Sequence, residues 1–191
     1  MTRNIVKRTS LLLCGIAASL LIGMPDVYGQ KMIRAIARGT STQLGRLINV
    51  DIRINSISAA ADQGALLEAF QAGGSEGLAN ALEKMRSKGR IAITGTLGYD
   101  LNYIRRFTLP NGDTVVRFVT DRPVRFREAW GATRSMDYEI TLGEIVFPKA
   151  NPKKAKGTLM PATRVRLNKK GEIELENFQN PWQLTNIKVY N

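Results

Sequence analysis

From Lys88 to the end of the chain, apolar residues recur at every second position, in short segments separated by turn sequences. This spacing is typical of antiparallel strands that bury one face against a core. Strands are predicted at residues 89–96, 99–108, 114–120, 123–130, 137–148, 157–167, 172–178 and 183–190. Eight short strands with tight turns predict a mainly β fold, an antiparallel meander that forms a barrel or a sandwich.

The residues before Lys88 add a long strand and the only helical pattern. Residues 43–57 alternate apolar and polar side chains, and residues 32–39 form a weaker strand candidate. The apolar face of the long strand consists of Ile48, Val50, Ile52 and Ile54. Two short amphipathic segments joined by Gly73-Gly74 predict an inserted helical hairpin over about residues 62–86, with Asp62 and Ser75 as the two N-caps.

The first 29 residues have the pattern of a secretory signal peptide. A basic start precedes the apolar run of residues 11–22, and Val27-Tyr28-Gly29 offers a cleavage site. Twelve apolar residues are too few to span a bilayer comfortably. We therefore expect one exported β-rich domain at residues 30–191, periplasmic or extracellular, with no transmembrane segment. Cleavage would lower the formal charge from +12 to +10, because three basic residues and one acidic residue leave.

The mature chain would contain neither cysteine nor histidine, since Cys14 leaves with the signal peptide and the chain has no histidine. Disulfides and catalysis by Ser-His-Asp or Cys-His groups are therefore excluded. Zinc, haem and copper sites normally use these residues, so we expect no metal and no cofactor.

The spacing around residues 157–178 predicts a detailed hairpin register. The apolar faces match if Leu167 pairs with Ile173 across the three-residue loop 169–171, with glycine in the left-handed position. Arg166 would then face Glu174, and Arg164 would face Glu176. In strand 137–148 the apolar parity changes after Leu142, which predicts a bulge at Gly143.

Three arginines form the candidate anion site. A turn at Asn111-Gly112 would pair Arg106 with Arg117, and the next turn would pair Arg117 with Arg127. No acid aligns with this stripe, and like charges directly opposite are unfavourable. The stripe could bind phosphate, sulfate, carboxylate or a polyanion. Alternatively, these long side chains extend into water or bend to nearby acids.

Carboxylates offer an enzymatic alternative. Asp100, Asp121, Glu128 and Asp137 lie near tyrosines and Trp130. Two carboxylates about 5–9 Å apart can hydrolyse glycosides without histidine or metal. Strand-end acids are more often turn formers or ion-pair partners. A barrel enclosing a small hydrophobic ligand is a further alternative, unless its own side chains fill the interior.

Four stretches carry a resemblance to a family of uncharacterised exported bacterial proteins: GTLGYDLNYIRR, VTDRPVRFREAW, RSMDYEITLGEI and IELENFQNPWQLTNI. The resemblance covers most of the chain after about residue 38. It implies an exported bacterial protein and implies no activity, ligand or catalytic residue.

These features predict a non-enzymatic binding or structural module of the bacterial envelope, with a basic surface and an anionic partner or small ligand. A barrel that carries a small hydrophobic ligand and a carboxylate-dependent glycan hydrolase are the alternatives. Nucleic acid is not expected, because no aromatic pair on adjacent strands and no basic helix is evident.

Overall fold

The computed structural model describes residues 30–40, 45–124 and 138–191. In chain order the strands are β1 (Lys31–Arg38), β2 (Leu47–Ile54), β3 (Gly89–Ile93), β4 (Tyr99–Leu101), β5 (Tyr103–Thr108), β6 (Thr114–Val119), β7 (Ile140–Phe147), β8 (Lys156–Leu167), β9 (Ile173–Asn177) and β10 (Trp182–Tyr190). The helix α1 (Ala60–Lys84) follows β2, and a short 3-10 helix covers Pro152–Lys154. The predicted strand 123–130 lies almost entirely outside the described residues, and Pro123 and Val124 are not in a strand.

The strands form one antiparallel sheet that curls into a nearly closed barrel. Its order is β4-β3-β2-β1-β10-β8-β7-β6-β5, with β9 attached to β8 alone. The terminal strands β4 and β5 are separated in sequence only by Asn102, whose backbone N–H donates to the Val119 carbonyl at 3.0 Å. One bent segment thus pairs with β3 at one end and β6 at the other, which brings the two sheet edges together. The predicted β-barrel is confirmed.

The barrel interior is filled by the inward faces of its strands. The largest side chains that are under 2 % exposed include Trp182, Phe118 and Ile104, and β2 contributes Ile52 and Ile54 as its alternation predicted. Close packing of this kind supplies most of the favourable free energy of folding. Among the described residues, no helix is long and apolar enough to cross a membrane.

The helix α1 packs on the outer face of the barrel as two arms. Its backbone leaves helical geometry at Gly73 and Gly74, the predicted junction. A Cβ on Gly77 would lie 2.5 Å from the Ala69 carbonyl oxygen, although eight residues of straight helix span about 12 Å. The chain therefore folds back, as a helical hairpin requires. The apolar residues that join the arms to the sheet are Leu66, Phe70, Ala79, Leu82, Ile140 and Val165.

The predicted caps of these arms act differently from the expectation. Helix α1 begins at Ala60, and Asp62 accepts from the Ala59 N–H at 2.9 Å from within the first turn. The Ser75 hydroxyl donates to Glu139 Oε2 at 2.6 Å and accepts from the Val165 N–H at 3.2 Å. Ser75 thus anchors the glycine junction to β8, a long-range role that the capping pattern did not reveal.

The bulge predicted at Gly143 is wrong. Gly143 pairs regularly with Phe118, and the shift in register lies between Ile140 and Leu142 on the side facing β8. The apolar parity changes because both faces of β7 are covered. Ile140 and Leu142 pack under the helix, whereas Ile145 packs inside the barrel. A strand buried on both faces has no single apolar parity.

The β8–β9 hairpin forms as predicted. Leu167 pairs with Ile173, Arg166 with Glu174, and Arg164 with Glu176. Gly171 has a φ of 78°, the left-handed conformation expected for the loop.

Candidate binding site

The β5–β6 hairpin differs by one residue from the predicted register. Arg105, not Arg106, lies opposite Arg117, and Arg106 lies opposite Val116. The loop has three residues, Pro110 to Gly112, closed by a hydrogen bond from the Leu109 N–H to the Asp113 carbonyl at 2.9 Å. Pro110 suits the first position of a type I turn, and Gly112, with a φ of 86°, follows it in the left-handed region. The predicted two-residue turn at Asn111-Gly112 is therefore wrong.

This one-residue difference separates the arginines of the predicted stripe. Arg117 lies on the outer face, where its Nε donates to Glu144 Oε2 at 2.5 Å and its guanidinium stacks on the Phe107 ring at 4.9 Å. The expectation that no acid aligns with Arg117 is wrong, because Glu144 pairs with it across β6 and β7. Arg106 turns to the opposite face, and Arg127 lies outside the described residues.

Arg106 borders a cavity of about 350 Å³ at one mouth of the barrel. The floor is apolar and consists of Ile33, Ile54, Val116 and Phe147. The rim carries three cationic side chains, Lys31, Arg106 and Lys149, from separate parts of the chain. The mouth therefore combines an apolar surface with positive charge, the features that an amphiphilic anion requires.

Lys149 is held at the rim by its neighbours. Its backbone N–H donates to Asp113 Oδ1 at 2.9 Å, which ties the β7–β8 connection to the β5–β6 turn. A Cβ on Gly112 would lie 2.6 Å from Lys149 Cδ. The absence of that Cβ lets the lysine stem cross the turn and reach the mouth.

A second cavity, of about 540 Å³, adjoins the first and extends the cationic rim. The two cavities share Phe147, Pro152 and Val189, and the second adds Lys153 and Lys188. None of the residues that line either cavity is an aspartate or a glutamate. Asp113 lies beside this rim, but five cationic side chains line the two cavities, so this end of the barrel carries an excess of positive charge that attracts anions.

A third cavity, of about 300 Å³, lies outside the barrel between α1 and the sheet. Its apolar lining includes Leu66, Phe70 and Ile140, while Arg105 and Arg117 border it. Burial raises the pKa of the Tyr103 hydroxyl, and the nearby Arg105 partly opposes that rise. The Tyr103 hydroxyl is therefore neutral at ordinary pH, and its partly buried side chain forms one wall of this groove.

The described carboxylates of the enzymatic alternative are engaged in ion pairs. Asp100 pairs with Arg90 at 3.4 Å and accepts from the Ser87 hydroxyl at 3.2 Å. Asp121 accepts two hydrogen bonds from Arg122, and this pairing raises the pKa of the arginine. Glu128 and Asp137 lie outside the described residues. Within the described part of the chain, no cluster of three metal-ligating side chains occurs.

The sequence did not identify the mouth as a site, although one signal was present. Lys149 and Lys153 belong to the lysine-rich segment KANPKKAKG, which connects the predicted strands 137–148 and 157–167. Lys31 and Lys188 come from opposite ends of the domain and approach through the pairing of β1 with β10. No family model, no curated protein and no solved structure matches this chain.

Proposed function

We propose that this protein is a non-enzymatic binding protein whose barrel mouth holds an amphiphilic anion. The ligand class is an alkyl or acyl chain that ends in a phosphate or carboxylate. One observation carries the proposal: an apolar floor and three cationic side chains belong to the same cavity. Small-molecule sites favour such concave apolar surfaces with a few charged groups, often in barrel mouths.

The two halves of the mouth would contribute different parts of the affinity. Ile33, Ile54 and Val116 are at most 3 % exposed, so the ligand would remove water mainly from Phe147 and Val189, at roughly 25 cal/mol for each square ångström. Charge-assisted hydrogen bonds from Arg106 and Lys149 would orient the anionic group, each worth about 1.5–3 kcal/mol. Because the barrel interior is filled, the ligand lies across the mouth and is not enclosed within the barrel.

The pattern of residues 1–29 supports an exported location, periplasmic or extracellular, for this binding function. An envelope provides many amphiphilic anions, lipids among them. The hydrolase alternative has less support, because the two described carboxylates each have an arginine partner.

Calorimetric titration with octyl phosphate, octanol and inorganic phosphate tests the proposal. We expect octyl phosphate to bind at least tenfold more tightly than either part alone, because only the intact amphiphile meets both floor and rim. The double variant Arg106→Gln/Lys149→Gln should weaken octyl phosphate binding tenfold or more, since about 1.4 kcal/mol corresponds to a factor of ten.

The matched control is Lys169→Gln/Lys170→Gln, which removes the same charge from the tip of the β8–β9 hairpin. The strand β8 runs from the mouth to this tip, a distance of up to about 35 Å at about 3.3 Å per residue. The control should bind octyl phosphate as the parent does. Equal weakening by both double variants would show that net charge, and not the mouth, attracts the ligand.

A further inference from the structure

The β8–β9 hairpin projects beyond the barrel wall as an arm. The strand β8 pairs with β10 as far as Leu159 and with β7 as far as Thr163. From Arg164 to Leu167 its ladder partner among the described strands is β9 alone, and β9 lies off the barrel path. Among the described strands, this segment of β8 therefore has one edge without a ladder partner, while its base at Val165 packs against α1.

One face of the arm presents large apolar side chains to water. Leu167 and Ile173 are opposite each other and are 55 % and 62 % exposed, and Leu175 behind them is 42 % exposed. Leu67 of α1 is 50 % exposed and borders the same groove as Ile173. We call these four residues the arm patch. They are half of the eight exposed large apolar residues in the described part of the chain.

The opposite face of the arm is nearly neutral. Arg166 pairs with Glu174 at 3.5 Å and with Glu176 at 3.1 Å. Glu172, near the tip, accepts from Asn168 Nδ2 at 2.9 Å. Glu174 and Glu176 are thus neutralised in part by Arg166, but Asn168 is uncharged, so the Glu172 charge offsets one of the two tip lysines and the tip keeps one net positive charge.

The tip of the arm holds two lysines in a well-defined turn. Asn168 Oδ1 accepts from the N–H groups of Lys170 at 2.9 Å and Glu172 at 3.0 Å. The Gly171 N–H donates to the Asn168 carbonyl at 2.9 Å. This network fixes the backbone, so Lys169 and Lys170 extend just beyond the Leu167–Ile173 pair. Cations at the tip and apolar side chains directly behind them match the layers of a lipid interface, headgroups first and acyl chains below.

We propose that the arm docks on an anionic lipid bilayer. Leu167 and Ile173 enter the boundary between headgroups and acyl chains, and Lys169 and Lys170 contact lipid phosphates. The charge complementarity is local, at the tip, and is reinforced by the chain's formal charge of +12. The same positive charge disfavours a second copy of this chain as the occupant, because two copies repel each other. This proposal does not depend on ligand binding at the mouth.

Partitioning of the full chain onto vesicles of phosphatidylcholine, with and without phosphatidylglycerol, tests this docking. Lipid is titrated and the bound fraction is measured by sedimentation. Residues 1–29 are the same in every variant, so differences between variants report on the arm. We expect Leu167→Asn/Ile173→Asn to reduce partitioning at least tenfold on anionic vesicles. Lys169→Gln/Lys170→Gln should give a loss of about tenfold on anionic vesicles and little on neutral ones.

Two matched controls separate the arm from general effects. Leu97→Asn removes an apolar side chain that is 86 % exposed in the β3–β4 turn, and Arg38→Gln/Arg53→Gln removes two exposed charges, one from β1 and one from β2. Both controls should partition as the parent does, with all variants showing the parent's thermal unfolding. The docking proposal is overturned if the arm variants bind like the parent or if the controls lose as much. It is also overturned if the parent forms a dimer by light scattering that Leu167→Asn/Ile173→Asn abolishes while no variant binds vesicles.

Discussion

Replacing Trp182 with alanine is expected to lower the free energy of unfolding by about 3–5 kcal/mol, the usual cost of removing a large buried aromatic side chain. Trp182 begins β10, pairs with Leu159 and is 1 % exposed in the barrel interior. Its removal leaves a void that cannot easily close, because β10 is held by hydrogen bonds to β1 on one side and to β8 on the other. Urea unfolding followed by far-ultraviolet circular dichroism measures the loss without depending on tryptophan fluorescence.

The milder variant Trp182→Phe should fold and lose less, which keeps the measurement possible if the alanine variant does not fold. The control is Tyr190→Ala on the same strand. Tyr190 is 44 % exposed and contacts Arg34 through its ring at 5.9 Å, so its loss should cost no more than about 1 kcal/mol. Equal costs for Trp182→Ala and Tyr190→Ala would contradict the filled interior.

The filled interior also limits the ligand hypotheses. A carrier that encloses its ligand needs an open barrel, but Trp182, Phe118 and Leu159 occupy that space with almost no exposure. A ligand would therefore bind in a surface cavity, and we propose the mouth, where Arg106 and Lys149 add charge to the apolar floor. The proposal combines the two alternatives drawn from the sequence, anion binding and apolar binding, at the mouth.

The two hairpins show when a strand register can be predicted. In β8–β9 three independent features agree: the apolar pair Leu167–Ile173, the charge pair Arg166–Glu174 and the left-handed Gly171. In β5–β6 the register was predicted from the turn sequence alone, and Pro-Asn-Gly is compatible with both a two-residue and a three-residue loop. A slip of one residue moves every side chain to the other face. The predicted register differed from the structure by one residue, so Arg106 was expected opposite Arg117, whereas it lies at the barrel mouth.

The candidate site was less predictable than the strands because no local pattern encodes it. Its cations come from β1, β5, the β7–β8 connection and β10, and only the sheet order brings them together. The burial of β7 on both faces was hidden for the same reason. Alternation reveals a strand and its period, but it does not reveal that a helix distant in sequence covers the outer face.

Gly143 provides the sharpest test of the corrected β7. A Cβ on Gly143 would overlap the Phe118 ring directly across the ladder. Gly143→Val should therefore lower the free energy of unfolding by about 1–3 kcal/mol or more, the typical cost of overpacking a core. A glycine in a bulge away from the ring would tolerate the change. Urea unfolding again measures the difference.

A double-mutant cycle with Phe118→Leu isolates the contact. Phe118→Leu alone lowers the free energy of unfolding because apolar contacts are lost, but it also makes room beside position 143. The free energy of unfolding of the double variant should therefore fall by less than the sum of the two single decreases. Interaction free energies between touching residues are about 0.5–3 kcal/mol. Gly64→Ala is the control, because a Cβ there meets nothing within 4 Å and the residue lies in α1. It should stabilise the protein slightly, by about 0.4–1 kcal/mol. Additive losses at Gly143 and Phe118 would mean that the two residues do not touch, and the regular pairing of β6 with β7 would then be wrong.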